Sequence, residues 1–197
     1  MHEVELKSVA PDPDATIAAM VAAGAVPVFN GRLADRRYDL PDRSLLSRDH
    51  VLRLRVYTDA GGARAHLDWK GPTGYADGYK VREEVSTGIS EADALAVILE
   101  GIGYVVVREI DREIAQFSCC GATVRVERYP RMDTLVEVEG TPATIEAAIA
   151  ASRLPREGFT TERLPDFVRR YELRTGQRAA LCDRELTGDY RYAASDA

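Results

Sequence analysis

Polar and apolar residues alternate along most of this chain, and alternation of that period predicts β-strands. Residues 2–9 put Glu3, Glu5 and Lys7 on one face and Val4 and Leu6 on the other. The same reading gives strands over residues 36–40, 51–57, 64–70, 79–86, 104–118, 122–129 and 135–139. Gly61-Gly62 predicts a hairpin turn, Pro41-Asp42-Arg43-Ser44 a second turn, and residues 71–78 a glycine-rich loop. Helical spacing replaces alternation in four places. Residues 15–23 have Asp14 as their expected cap and Gly24 as their stop, and residues 91–100 have Ser90 as cap. Residues 142–152 begin on Pro142, a first-turn proline, and residues 165–174 form the last helix. Residues 1–176 are expected to form one α+β domain and residues 177–197 a polar tail.

The alternation has an unusual content, because the polar face carries charge on strand after strand. Arg53 and Arg55 share a face, as do Lys80, Arg82 and Glu84, and as do Glu137 and Glu139. On one strand this is an ordinary solvated face. Repeated across most strands, with carboxylates on some and cations on others, it predicts a closed or nearly closed barrel with a charged, wet interior.

Composition narrows the setting. The chain has 197 residues, 45% of them hydrophobic, and a net charge of −6. Its length suits one domain, and its charge argues against a general nucleic-acid partner. No apolar run reaches membrane-spanning length, no signal-peptide layout is visible, and the three cysteines fit no zinc spacing. A reduced cytoplasm with no membrane partner is the expected setting. Lysine is the compositional anomaly: Lys7, Lys70 and Lys80 are the only three among 26 basic residues. A lysine is a compact charge on a flexible stem, so these three sites are expected to need what arginine's planar fork does not supply.

The charged faces suggest a chemistry. Glu3/Glu5 and Glu137/Glu139 are carboxylate pairs two residues apart on one strand face, able to converge on a hard cation such as Mg²⁺ or Mn²⁺. Glu84 and Glu127 could add ligands. Lys7, Arg53, Arg55, Lys70, Lys80, Arg82, Arg112 and Arg125 would repel one another across a narrow cavity unless a polyanion lay among them. A metal, many cations and an elongated polyanion describe a polyphosphate or nucleoside triphosphate site, working by positioning and charge neutralisation. No glycine-rich phosphate loop and no zinc-binding histidine pair is present, and His2, His50 and His66 read as structural.

Glu3-Val4-Glu5-Leu6-Lys7 resembles the ExExK signature of the CYTH superfamily, the triphosphate tunnel metalloenzymes. Tyr38-Asp39-Leu40-Pro41, Leu52-Arg53-Leu54-Arg55, Trp69-Lys70-Gly71-Pro72, Lys80-Val81-Arg82-Glu83-Glu84, Arg112 and Val136-Glu137-Val138-Glu139-Gly140 follow in the family's order, over residues 2–140. The resemblance implies an eight-stranded antiparallel tunnel with flanking helices, holding a triphosphate lengthwise. It implies that Glu3, Glu5, Glu84, Glu137 and Glu139 hold metal or position water. It also implies that Lys7, Arg53, Arg55, Lys70, Arg82 and Arg112 grip phosphates, with Lys80 and Arg125 as additions. Glu5, Lys7 and Glu84 are the expected catalytic groups. Glu127 stands where the family often has aspartate, Met132-Asp133 where it has leucine-glycine, and Leu164-Pro165-Asp166-Phe167 where it has a serine-tyrosine segment. Arg163, Arg169 and Arg170 fit either a phosphate contact or a solvated helix face.

The functional expectation is a metal-dependent triphosphatase acting on tripolyphosphate, thiamine triphosphate or a nucleoside triphosphate. The first alternative is a class IV adenylate cyclase, with Tyr57, Trp69 or Tyr75 stacking on adenine. The second is a binding module without turnover. A homodimer is left open.

Overall fold

The computed structural model describes residues 2–76 and 79–190, with the backbone alone at residues 2 and 3. Strands β1 (His2–Val9), β2 (Val26–Asp39), β3 (Val51–Asp59), β4 (Gly62–Lys70), β5 (Gly74–Ala76), β6 (Tyr79–Ile89), β7 (Val105–Cys119), β8 (Ala122–Arg128) and β9 (Leu135–Glu139) form one antiparallel sheet. Its order is β1-β9-β8-β7-β2-β3-β4-β6, and β1 pairs back onto β6. Eight strands therefore close into a barrel, and β5 pairs with residues 79–81 of β6, beyond the stretch of β6 that pairs with β4. Closure removes free sheet edges and gives every strand an inside and an outside.

Helices cover the outside. Leu6, Val124, Val126, Val136 and Val138 turn away from the barrel axis onto α1 (Pro13–Ala22) and α3 (Pro142–Ser152), meeting Met20, Ile145 and Ile149. Leu52, Leu54 and Val56 do the same against Leu95 and Leu99 of α2 (Ala92–Gly101). Each such side chain, fully buried, contributes roughly 1.5–3 kcal/mol. That outward burial offsets the cost of an interior filled with charge. Gly31 marks where β2 and β3 approach most tightly, since a Cβ there would collide with the Thr58 carbonyl oxygen.

The structure departs from the sequence expectations at several ends. Strand β2 is 14 residues long, beginning ten residues before the expected start, and β5 lies within the expected loop. The α1 cap is Asp12, whose carboxylate accepts from Ala15 N at 2.9 Å, while Asp14 pairs with Arg128. The α2 cap is Glu91 rather than Ser90, without a side-chain bond. The expected loose tail is packed as far as it is described. Ala179, Ala180, Leu181 and Cys182 are buried, Arg131 and Ala180 exchange backbone hydrogen bonds, and α5 (Asp183–Thr187) follows. These residues and α4 (Leu164–Thr175) cover Ile110 near one end of the barrel. A buried apolar Ala-Ala-Leu-Cys run amid polar neighbours was the available signal. No helix among the described residues is long and apolar enough to cross a membrane.

Candidate active site: the charged barrel interior

The inward faces of the eight strands enclose a cavity of about 470 Å³. Among the described residues, thirteen lysines and arginines and nine carboxylates line it, so cations exceed carboxylates by four in a chain whose net charge is −6. Every described residue of the expected site lines this cavity: Glu5, Lys7, Arg53, Arg55, Lys70, Lys80, Arg82, Glu84, Arg112, Arg125, Glu127, Glu137 and Glu139. Register explains the convergence. Glu5 lies opposite Lys80 on one side and Glu139 on the other, and Lys7 opposite Glu137. Glu137 lies opposite Arg125, and Lys70 opposite Glu84. Glu3 is opposite Arg82 in the backbone register, and its side chain lies outside the description.

Opposite charges are interleaved. Lys7 Nζ bridges Glu5 at 2.9 Å and Glu137 at 2.6 Å, and Lys80 donates to the other oxygen of Glu5. Arg125 spans Glu137 at 2.6 Å and Glu139 at 3.1 Å. Glu84 receives Lys70 at 3.1 Å and Arg53 at 3.2 Å. Asp68 ties Arg53 at 3.1 Å to Arg55 at 2.8 Å. Arg112 meets Glu127 at 2.9 Å, and the Tyr129 hydroxyl donates to the second Glu127 oxygen at 2.6 Å.

Burial alone would push the Glu5 carboxyl up, but Lys7 and Lys80 outweigh burial and the repulsion of Glu137, leaving it at about 2. Glu137 is likewise raised by burial and brought well below the usual carboxylate range by Lys7 and Arg125. Burial lowers Lys80, with Lys7 and Lys70 adding repulsion against the pull of Glu5. Glu5 and Glu137 are therefore ionised at neutral pH, and Lys7 joins them into one charge network.

The donor chemistry fits a hard divalent cation, since ionised carboxylate oxygens are what Mg²⁺ and Mn²⁺ prefer. The arrangement is not a finished cage. Among the described residues no three candidate ligands converge on one point, and lysine or arginine occupies each carboxylate. Glu5 and Glu137, joined through one mobile ammonium, are the pair that a metal would take over.

Several site residues escaped the sequence reading. Asp35, Arg37, Asp68 and Arg108 line the cavity, with Asp35 lying 3.6 Å from Arg53 and 3.8 Å from Arg112. The signal for them was alternation itself: the late start assigned to β2 hid Asp35, the adjacent pair Arg36-Arg37 left the inward member open, and Asp68 and Arg108 lay on strands that were read without asking which charges faced inward. Arg82 also has a task the sequence did not show. Its Nε donates to the Gly71 carbonyl at 2.7 Å and its terminal nitrogen to the Asp49 carbonyl at 2.5 Å, so the fork pins two loops beside the cavity. Asp39 has a structural task, accepting from the backbone N–H groups of Leu40, Leu45 and Leu46 at 2.7–2.9 Å and shaping the loop that follows β2.

The two mouths differ. One is lined by Arg37, Arg43, Arg108 and Arg163, with Leu164 and Pro165 at the start of α4. The other carries Phe29, Tyr57, His66 and Gln116, with Phe29 and Tyr57 edge to face at 5.5 Å and Tyr57 and His66 at 5.9 Å. Arg64 lies over Phe29 at 4.7 Å and Tyr57 at 5.6 Å. Trp69 packs against His50 and Tyr75 is exposed, so neither joins Tyr57 on this mouth. Arg163 lines the cavity, Arg170 pairs with Glu162 at 2.9 Å, and Arg169 is exposed.

Comparison with solved structures places this barrel among known ones. A Vibrio parahaemolyticus protein described as an adenylate cyclase candidate superposes with a TM-score of 0.72 at 21% identity, over 86% of this chain and 98% of its own. A Hippeastrum protein, described both as an adenylyl cyclase candidate and as having a dominant triphosphatase activity, matches with a TM-score of 0.61 at 17% identity, over 91% and 98%. A chain of the Schizosaccharomyces pombe Mediator head module matches with a TM-score of 0.59 at 15% identity, over 77% and 89%. Likeness at these identities is likeness of fold. No curated protein sequence matches the chain. The CYTH domain model matches residues 1–149, in the span that supplies the whole lysine, arginine and glutamate lining apart from Arg163, and the chain therefore belongs to the CYTH family.

Proposed function

We propose that the protein is a divalent-metal-dependent triphosphatase, holding a linear triphosphate along the barrel axis. The observation that carries this reading is the cation excess inside a closed barrel of an acidic chain. An interior of that kind recruits an elongated polyanion and holds it without a glycine-rich phosphate loop. Arg53, Arg55 and Arg112, each braced by a carboxylate, hold phosphate oxygens in fixed directions. Lys7, Lys70 and Lys80 move from their glutamate partners towards phosphate when substrate enters. A bound Mg²⁺ or Mn²⁺, held by Glu5, Glu137 and Glu139 with Glu3, would neutralise phosphate charge as the terminal bond breaks. Glu84, anchored by Lys70 and Arg53, is placed to orient the attacking water. Glu127, unlike Glu5 and Glu137, has no lysine partner among the described residues: Arg112 and Tyr129 hold its two oxygens, which supports a bracing role in place of metal ligation. The partner is then a small triphosphate-containing molecule, with no nucleic acid or membrane required.

Adenylate cyclase activity is the second reading, favoured by the aromatic mouth at Phe29 and Tyr57. Arg64 weighs against it, because its guanidinium covers the ring faces on which a base would stack. Incubation with Mg²⁺ or Mn²⁺ and tripolyphosphate, thiamine triphosphate or ATP, with products resolved, tests both. Free phosphate is the expected product. Cyclic AMP with pyrophosphate would replace the hydrolase by the cyclase, and no turnover with either metal would leave a binding module.

A further inference from the structure

Cys119 and Cys120 stand at the tip of the β7–β8 hairpin and are not among the residues that line the tunnel. Cys119 ends β7 and pairs with Ala122, so Cys120-Gly121 is the whole of the turn. Both turn residues have positive φ, 53° at Cys120 and 81° at Gly121. A two-residue turn of that form favours Asn-Gly, because asparagine tolerates the left-handed conformation and other side chains adopt it at a cost. The conformation matters for the sulfurs. Successive side chains of an extended strand point to opposite faces. With Cys120 left-handed, its Sγ lies 3.9 Å from that of Cys119.

That separation distinguishes what two thiols can do. Both cysteines are free, and 3.9 Å is nearly twice the length of a disulfide bond, about 2.05 Å. The Cα atoms of adjacent residues, about 3.8 Å apart, are also closer than a bridge ordinarily spans. The separation does match the edge of about 3.8 Å that two thiolates make on one tetrahedral ion, at a metal–sulfur length of about 2.3 Å. Access is unequal. Cys119 is buried with the core beneath α1 and α3, while Cys120 is exposed. Burial and the neighbouring thiol push the Cys119 thiol up to about 11, so alone it is a poor ligand at neutral pH. A ligand is therefore caught first by Cys120 and then closed onto Cys119. Among the described residues no third histidine, cysteine or carboxylate joins the pair, so the occupant is one that two sulfurs satisfy. Hard cations such as Mg²⁺ are not of that kind.

We propose that Cys119 and Cys120 form a two-sulfur clamp for a soft, thiol-seeking metal or metalloid, separate from the tunnel. A trivalent arsenical is the direct probe, because it takes two sulfurs and keeps one group of its own. The step balances with an arsine oxide. Each thiol gives its proton to the arsenic-bound oxygen, two S–As bonds form, and one water leaves with no change of oxidation state.

The test is titration of the intact chain, reduced with a phosphine and freed of small thiols, with phenylarsine oxide. One arsenical per chain is expected, leaving one of the three thiols titratable. A dithiol should release it at a concentration where a monothiol does not. Cys120→Asn is expected to weaken the adduct by about a hundredfold or more, since the second sulfur no longer binds within the same molecule. That variant should melt at or above the wild type, because Asn-Gly suits the turn, so its loss of binding is not a loss of fold. Cys119→Ala repeats the comparison from β7. No adduct in the wild type, an adduct that survives in Cys120→Asn, or equal release by monothiol and dithiol would overturn the clamp. None of these readouts depends on triphosphate turnover, so the clamp and the tunnel reading fail separately.

Discussion

The three lysines of the chain lie on three consecutive strands of the barrel, β4, β6 and β1, while arginines line β2, β3 and β7 across the cavity. On the lysine wall each lysine is matched to glutamate: Lys70 to Glu84, Lys80 to Glu5, and Lys7 to both Glu5 and Glu137. The arginine wall has Arg37, Arg53, Arg55, Arg108 and Arg112 around few acids, chiefly Asp35, with Asp68 and Glu127 on the flanking strands. The two walls use different properties of positive charge. A guanidinium fork holds direction, so under the proposed function a wall of arginines would fix where phosphate oxygens lie. An ammonium on a long stem exchanges partners at little cost, so a wall of lysines could release its carboxylates to an arriving metal.

That comparison breaks first at Glu137. Glu137→Gln removes the shared partner of Lys7 and Arg125, and we expect turnover of tripolyphosphate to fall by about a hundredfold or more. Glu139→Gln should follow the same direction, with modest change in the melting temperature of either variant. Retained turnover in both would separate these residues from the metal and the chemistry.

Lys70→Arg tests the exchangeable wall directly. A fork in place of the ammonium at Glu84 should cost about tenfold in kcat/KM, roughly 1.4 kcal/mol of transition-state stabilisation. Unchanged turnover would mean that lysine and arginine are equivalent there, and the rarity of lysine would lose its functional meaning.

The walls should also respond to acid. Glu5, held at about 2 against an ordinary value of 4.5, binds its proton more weakly in the folded protein than in the unfolded chain. Asp68 shows the same sign, about 2 against 3.8. Their stabilising contribution is present above about pH 4.5 and is lost as pH falls towards 2. Thermal melts across that window should show a decline that flattens in Glu5→Gln. A decline of unchanged steepness would exclude Glu5 as its source.

The smallest effect is expected at the aromatic mouth. Arg64→Ala should change tripolyphosphate turnover by less than about twofold while lowering KM for nucleoside triphosphates, because it uncovers Phe29 and Tyr57. A loss on tripolyphosphate equal to that at Lys70 would place Arg64 among the phosphate-binding groups.

Strand period carried most of the legible information. Leu135–Glu139 and Pro142–Ser152 were readable to the residue, because alternation and a first-turn proline mark them. Lys7, Lys70 and Glu137 were visible for the same reason, each on an alternating face next to an apolar residue, Leu6, Trp69 and Val136. Strand β2 was less legible: its early half, from Val26, mixes aliphatic residues with Pro27 and Gly31, which read as breakers. That hid Asp35. The fixed role of Arg82 was beyond sequence, since its partners are backbone oxygens of Gly71 and Asp49, on separate loops. The apolar run at residues 179–182 signals burial, but its partners, α4 and Ile110 some seventy positions earlier, are beyond any local pattern.

Closure of the barrel through β1 has a consequence for assembly. Glu5 and Lys7 have register partners far along the chain, at Lys80, Glu137 and Glu139. One edge of β1 meets residues 80–83 of β6 and the other meets residues 135–139 of β9, and such long-range pairing is slow. The ExExK strand therefore has both of its neighbours in place only when the β9 seam closes. A folding intermediate in which β9 is not yet docked would carry every arginine of the opposite wall and still have no tunnel.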